Sequence, residues 1–472
     1  MTMKVKFSNR TNLLEQAIYK YNLQDVEEPN LYREVFPYTE VPRVTFNYRH
    51  VPMFVPEEIW ITDTTFRDGQ QSRPPYSSEQ ILKIFDLLHQ LDNHSGVIRQ
   101  TEFFIYSKKD REAVEKCLSR GYKYPEVTAW IRAKKEDFQL AKEIGVKETG
   151  ILVSCSDYHI FKKLHLTRRQ AMEIYLSIVE SALESGIIPR CHFEDITRAD
   201  FYGFVVPFAN ELMRLSREAK VPVKIRACDT LGLGVSFPGT ALPRSVQGII
   251  YGLRHYSEVP SEWMEWHGHN DFYKAVTNST TAWLYGASAV NTSLFGIGER
   301  TGNCPLEAMV IEYVQLRGTT KQMRLEVISE IADYFEKEIH YRIPPRTPFV
   351  GEAFNETSAG IHADGILKDE EIYNIFDTEK ILNRPVSIKV GPHSGLAGIA
   401  AWINKHFKLE GERRISKSDP RVLKIKEYID QEYTRGRVTN FSDEELESLI
   451  DFSLKEGEEG DGEAAGFDSS NP

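Results

Sequence analysis

The chain has 472 residues, 41% of them hydrophobic and 27% charged, with a net charge of −11 and no basic tract, which argues against a phosphate-backbone partner. It carries no long apolar run and no signal-like leader, so neither a membrane span nor secretion is expected. Its five cysteines are scattered and form no Cys-x-x-Cys pair, which points to a reducing cytoplasm rather than to a disulfide framework or a thiolate zinc site.

In chain order, residues 1–56 stand apart as an N-terminal arm. Thr11 to Leu23 reads as a short helix. Pro29 to Pro56 is punctuated by proline and reads as extended, with a strand at Arg43 to Tyr48; such an arm either packs on a neighbouring subunit or stays a loose leader. From Glu57 to about Leu316, apolar runs alternate with helical patterns. The expected strands are Ile59–Thr64, Val97–Phe104, Pro125–Trp130, Glu148–Ser154, Ile188–Phe193, Val223–Cys228, Trp263–His267 and Ala289–Phe295, eight in all. Ser77-x-x-Gln80 and Thr167-x-x-Gln170 have the capping-box form that opens a helix. Eight β/α units predict an α/β fold of the (β/α)8 TIM-barrel kind over residues 57–323, in preference to a two-domain doubly wound fold. A smaller, mainly helical C-terminal region over 324–455 follows. It holds a helix at Leu325–His340, a Gly-, Ala- and Asn-rich segment at Phe349–Asp364, amphipathic stretches at Gly395–Phe407 and Pro420–Tyr433, and a last helix opened by Ser442-x-x-Glu445. The acidic, glycine-rich tail, 456–472, reads as disordered.

Three strand ends carry chemistry. Asp68 follows the first strand within Phe66-Arg67-Asp68-Gly69. His267 and His269 lie two apart at the end of the seventh, and an extended backbone sends both to one side. Asn303 follows the eighth, in Gly296-Ile297-Gly298-Glu299-Arg300-Thr301-Gly302-Asn303. A lone His-x-His is usually incidental, and a lone Arg-Asp-Gly is usually a salt-bridged turn. In a closed barrel, however, strands seven, eight and one are neighbours, and all these residues reach the C-terminal face where barrel enzymes work. Two imidazoles, a carboxylate and an amide oxygen suit a divalent ion with open positions, Mn²⁺ or Co²⁺ by preference, Mg²⁺ or Zn²⁺ also being compatible. Glu299 and Arg300 read as a buried ion pair, and Cys304 as a small packing residue.

The same segments, with Gly360-Ile361-His362-Ala363-Asp364-Gly365 and Gly391-Pro392-His393-Ser394-Gly395, resemble the isopropylmalate, homocitrate and citramalate synthases of the DRE-TIM metallolyases. The resemblance covers roughly residues 57–407. It implies a metal-dependent acyltransferase that condenses acetyl-CoA with a 2-oxo acid. It implies metal ligation by Asp68, His267 and His269, with Asn303 matching a ligand in part of the family. Arg67 matches the arginine that contacts the 2-oxo group; Glu102, Thr230 and Glu265 match positions lining the substrate site; His362 matches a catalytic histidine and Tyr373 a tyrosine. Both of the last two lie on a segment that reaches a partner subunit's site, so a homodimer is expected. Two departures stand out. Phe103 and Phe104 follow Glu102 where the family has small residues, and too little chain follows Phe407 for the large leucine-regulated domain.

For the 2-oxo acid, Arg190, His192 and Glu194 share one face of the fifth strand. A buried arginine seeks a carboxylate, which favours a dicarboxylic substrate, and Phe103-Phe104 would shorten the pocket toward oxaloacetate. Ile61–Pro75 and Arg99–Cys117 look closest to the Re-type citrate synthases, with homocitrate and 2-isopropylmalate synthases as alternatives. An aldol-type CoA lyase is disfavoured because its catalytic cysteine is not found. A silent metal-binding scaffold is disfavoured by the intact Arg67 and His362.

Overall fold

The computed structural model describes residues 5–8, 13–16, 19–132, 136–358, 360–409 and 411–450. They divide into two compact units, 1–327 with 337–340, and 328–336 with 341–472; the acidic tail lies outside the described residues.

The first unit is a barrel. Its strands are β1 (Trp60–Asp63), β2 (Ile98–Phe104), β3 (Glu126–Ile131), β4 (Glu148–Ser154), β5 (Ile188–Glu194), β6 (Lys224–Asp229), β7 (Met264–Gly268) and β8 (Ala289–Thr292). They are parallel and pair in sequence order, and β8 closes the ring by pairing with both β7 and β1. Helices α1 (Ser78–Asp92), α2 (Lys108–Ser119), α3 (Glu136–Ile144), α4 (Arg168–Glu184), α5 (Val206–Ala219), α6 (Val246–Tyr256), α7 (Ala275–Tyr285) and α8 (Leu306–Arg317) lie between and after them. Two begin where the capping chemistry predicts. Ser77 and Thr167 each accept from the backbone of the glutamine three residues on, whose side chain accepts from the cap's N–H, so two orphan donors are satisfied at each start.

Alternation along the strands sorts side chains between two environments. Outward residues are apolar and face the helices: Phe193 stacks on Phe208 of α5 with centroids 5.2 Å apart. Phe103 is one of these. It stacks on Phe66 at 4.8 Å and meets Phe85 of α1 edge-on, so it does not shorten the pocket as the sequence led us to expect. The pleat places its neighbours Glu102 and Phe104 on the inward side instead. Inward positions are unusually charged: Glu102, Glu148, Arg190, Arg226 and Glu265 are all buried.

The arm differs from both expectations. Instead of a helix at Thr11–Leu23, part of which lies outside the described residues, Leu13–Gln16 pairs antiparallel with Val5–Ser8, so its backbone groups are spent on a ladder. Over Arg43–Tyr48 the only ladder contact is a single bridge from Phe46 to Thr240, supported by the N–H groups of Asn47 and Tyr48 on Gly239 O. The arm lies on its own barrel. Arg168 donates to Gln24 O, Arg244 to Pro42 O and Arg43 O, and Arg317 to Pro56 O. Val35 and Phe36 are buried with Leu233 against Phe272.

The second unit has its own apolar core, built from Ile366, Val386, Ile388, Val390, Ile399, Trp402, Ile403, Val422, Ile425, Ile429 and Phe441. It includes α9 (Val327–Lys337) for residues 328–336, α10 (Gly360–Lys368), α11 (Thr378–Leu382), α12 (Leu396–His406) and α13 (Pro420–Thr434). A short parallel pair, β9 (Glu356–Thr357) and β10 (Ser387–Ile388), lies within it. Ser442 and Glu445 cap each other at the start of a helix over 443–450.

Candidate metal centre and active site

β1 ends in a tight helical turn over Thr65–Gly69 that turns Asp68 back over the barrel mouth. On β7, Glu265 and His267 point inward, and His269 continues that face past the strand end. The β8 loop folds back on itself: Asn303 N donates to Gly296 O at 2.9 Å, and Gly302 has φ +88°, a conformation that suits glycine. Its next residue, Asn303, bridges to His269. Gly298 matters for space, since a Cβ there would lie 2.9 Å from the Asn303 amide.

The result is a buried cluster of Asp68, His267 and His269 whose candidate ligand atoms lie within 4.8 Å of one another. Asp68 Oδ2 is 3.7 Å from His267 Nε2 and 3.8 Å from His269 Nε2, and the two Nε2 atoms are 3.2 Å apart. Atoms bound at about 2.1 Å to one ion are separated by roughly 3.0–3.4 Å, so a small contraction brings all three onto a common centre. Three further features suit a cation. His267 Nδ1 donates to Asn291 Oδ1 at 2.7 Å, which leaves the Nε2 lone pair facing the cluster. Asn303 Oδ1 is buried without a partner while its Nδ2 donates to Asp68 Oδ2 at 2.8 Å. Protonation states agree: burial holds His267 and His269 below the usual imidazole range, and Asp68, although buried, is kept below the usual carboxylate range by the Arg67 guanidinium. The set therefore presents one anion and two neutral nitrogens, a donor set that fits a divalent ion.

Arg67 stands beside this cluster. Its Nε donates to Glu102 Oε2 at 2.8 Å, and its Nη1 approaches Asp68 Oδ1 at 3.3 Å. Glu102 is almost completely buried; burial alone would raise its pKa, but Arg226 and Arg67 hold it well below the carboxylate range. Thr230 caps the neighbouring loop, its Oγ1 accepting from Asp195 N at 2.8 Å.

Other expected residues are placed differently. Arg190 and His192 do point inward, but Arg190 has protein partners: it binds Glu148 and Gln100 and lies 3.4 Å from Glu265. With those carboxylates present, its burial no longer calls for a carboxylate on the substrate. His192 Nε2 is 3.5 Å from Glu102 Oε1, and burial holds its pKa well below normal, so it is neutral. Glu265 is tied to Thr62 and Arg226 beneath His267. Arg300 pairs with Asp271 at 2.8 Å and donates to Thr230 O, correcting the expected Glu299 pair; the loop curls so that Arg300 reaches across to β7's loop. Cys304 is buried and pushed up to about 12 by burial, so it serves packing. In the second unit, His362 and Tyr373 are exposed, their ring centroids 4.4 Å apart, and Gly365 leaves the space into which the Tyr373 ring fits.

Two residues next to the cluster escaped the sequence reading. Arg226 bridges Glu102 and Glu265, and Asn291 orients His267. The signal for Arg226 was present, since it lies two and four residues before Cys228 and Thr230 on the inward face of β6.

A family model described as HMGL-like matches residues 58–334. A protein of Clostridium kluyveri named Citrate (Re)-synthase is 63% identical over 93% of this chain and 96% of its own length. One of the same name from Syntrophus aciditrophicus is 56% identical over 92% of this chain and 69% of its length. The 2-phosphinomethylmalate synthase of Streptomyces hygroscopicus is 35% identical over 92% of this chain and 99% of its length.

Proposed function

The chain belongs to the HMGL-like family, and on that premise we propose that it is an acyltransferase condensing acetyl-CoA with oxaloacetate to give citrate. The observation that carries the chemistry is the buried Asp68–His267–His269 cluster with Arg67 held beside it by Glu102. Its closeness to two proteins named Citrate (Re)-synthase supports oxaloacetate as the partner.

Asp68, His267, His269 and Asn303 would hold a divalent ion, Mn²⁺ or Co²⁺ by preference, and that ion would supply Lewis acidity at the ketone of the 2-oxo acid. Arg67 donates a hydrogen bond to the ketone oxygen, and that bond strengthens as the oxygen gains negative charge. In a homodimer, the segment carrying His362 and Tyr373 reaches the other copy's site. There His362 takes a proton from the acetyl methyl group, with Tyr373 relaying it. The resulting carbon attacks the ketone carbon, the carbonyl electron pair moves to oxygen and is protonated, and water then cleaves the thioester to release the CoA thiol. Five buried cysteines with no disulfide fit a reducing cytoplasm.

CoA release is measured with Mn²⁺, acetyl-CoA and, in turn, oxaloacetate, 2-oxoglutarate and 2-oxoisovalerate. Oxaloacetate is expected to give the highest kcat/KM and citrate as product. Preference for 2-oxoglutarate or 2-oxoisovalerate would move the assignment to a homocitrate or isopropylmalate synthase, and no release with any of them would overturn it.

A further inference from the structure

Below the metal cluster, a column of alternating charges runs through the barrel. Lys224 Nζ donates to Glu148 Oε2 at 2.6 Å, and the other oxygen of Glu148 takes Arg190. Arg190 Nε is 3.4 Å from Glu265 Oε2, which accepts from Arg226 Nε at 2.5 Å. Arg226 Nη1 donates to Glu102 Oε2 at 3.1 Å, and that oxygen also accepts from Thr64 Oγ1 at 3.1 Å and Arg67 Nε at 2.8 Å. The column therefore ends at the guanidinium that lies against Asp68.

Arg226 is the link that stability does not explain. It is completely buried between two carboxylates. Such a triad costs so much desolvation that apolar residues of similar volume serve a fold as well or better. What apolar residues cannot supply is direction. Glu102 is gripped from below by Arg226 Nη1, which lies 3.1 Å from its Oε2 and 3.0 Å from its Oε1, while Oε1 also faces His192 Nε2 at 3.5 Å. Gly150 leaves the room for that ring, since a Cβ there would lie 2.5 Å from His192 Nε2. Fixed this way, Glu102 holds Nε of Arg67, and Asp68 attracts Nη1. Among the described residues, Nη2 of Arg67 takes no hydrogen bond and remains for a ligand.

We propose that Arg226 is a positioning residue of the condensation: by clamping Glu102 against Glu265 it fixes Arg67, whose free N–H is thereby held toward the ketone oxygen. This rests on the reaction proposed above. The rival explanation is that Arg226 only neutralises two buried carboxylates so that the barrel can fold.

Arg226→Lys keeps the charge but cannot hold both carboxylates in one plane. The double variant Arg226→Met with Glu265→Gln removes one cation and one anion together, and leaves Glu102 without its clamp. Melting temperature, Mn²⁺ affinity, oxalate affinity of the Mn²⁺-loaded protein (oxalate mimics the planar 2-oxo acid) and CoA-release kinetics are measured for each. The expectation for Arg226→Lys is Mn²⁺ affinity within about twofold of wild type, kcat lower by about 100-fold with KM for acetyl-CoA unchanged, and oxalate binding weaker by about tenfold. The double variant is expected to regain the melting temperature but neither kcat nor oxalate affinity. Wild-type kcat and oxalate affinity in either variant, or their recovery in step with the melting temperature in the double variant, would overturn the proposal. If the wild type binds oxalate but makes no product, the condensation fails, and oxalate affinity alone still decides the role of Arg226.

Discussion

Asn291 accepts the Nδ1–H of His267 at 2.7 Å, and its own amide nitrogen donates to Thr62 Oγ1 at 2.9 Å. The second bond fixes which end of the amide faces the imidazole, and so which ring nitrogen faces the cluster. Asn291→Ala frees the ring to rotate and to move its proton to Nε2. Mn²⁺ affinity is expected to fall about 10- to 100-fold, the usual loss for an orienting partner, as measured by metal titration. An unchanged affinity would mean that packing alone orients the ring.

Asp68→Asn removes the one anion of the cluster. Turnover is expected to fall by at least about 1,000-fold and Mn²⁺ affinity by at least about 100-fold. Wild-type protein at roughly 100 times its Kd for Mn²⁺ gains about 2.7 kcal/mol of stability over the chelated form, and the variant gains almost none. Denaturant melts with Mn²⁺ and with chelator give both numbers, and equal Mn²⁺ stabilisation of the two proteins would remove Asp68 from the site.

Glu102→Gln leaves Arg226 and Arg67 deep in the barrel with one carboxylate fewer. Breaking a buried charge network from one side costs roughly 3–5 kcal/mol, so urea unfolding shifts strongly. Lys163→Ala, whose side chain is 50% exposed beside Glu194, is the contrast, with an expected change within about 0.5 kcal/mol.

Gly150→Ala inserts a Cβ 2.5 Å from His192 Nε2 and 3.0 Å from Glu102 Oε1. The ring must swing away from the glutamate. Overpacking of this kind costs about 1–3 kcal/mol, and activity should fall further than stability alone predicts. A variant as active as wild type at saturating substrate would show that the His192 ring can move freely.

Glu307 opens α8 fully buried; burial raises its pKa from 4.5 to about 7, offset only in part by backbone N–H groups such as that of Phe295, which donates at 3.0 Å. Because the folded value exceeds the unfolded one, the stability it contributes is complete below about 4.5 and is lost as pH rises through about 7. Glu307→Gln is neutral throughout. Its stability relative to wild type should therefore climb between about pH 5 and about pH 8, by at most about 3 kcal/mol. A pH-independent difference would show the carboxylate to be ionised in the fold across that range.

The strands and the residues that cluster at the barrel mouth were legible because both are written in short-range order. Period-two runs and capping boxes are local, and Asp68, His267, His269 and Asn303 each sit at the end of their own segment. Which charges meet inside the barrel was not local. Arg190 read alone asked for a carboxylate on the substrate; the closed sheet brings Glu148 from β4 and Glu265 from β7 to it. Arg226 meets Glu102 only because the ring closes. Phe103 looked like a pocket residue until the pleat turned it to the helices. Sequence by itself determined the order of the barrel's strands, the alternation of faces and the donor atoms at each strand end. The tertiary structure alone decided the partners of the inward charges, because the stagger of eight strands around a closed ring sets which of them lie at the same height.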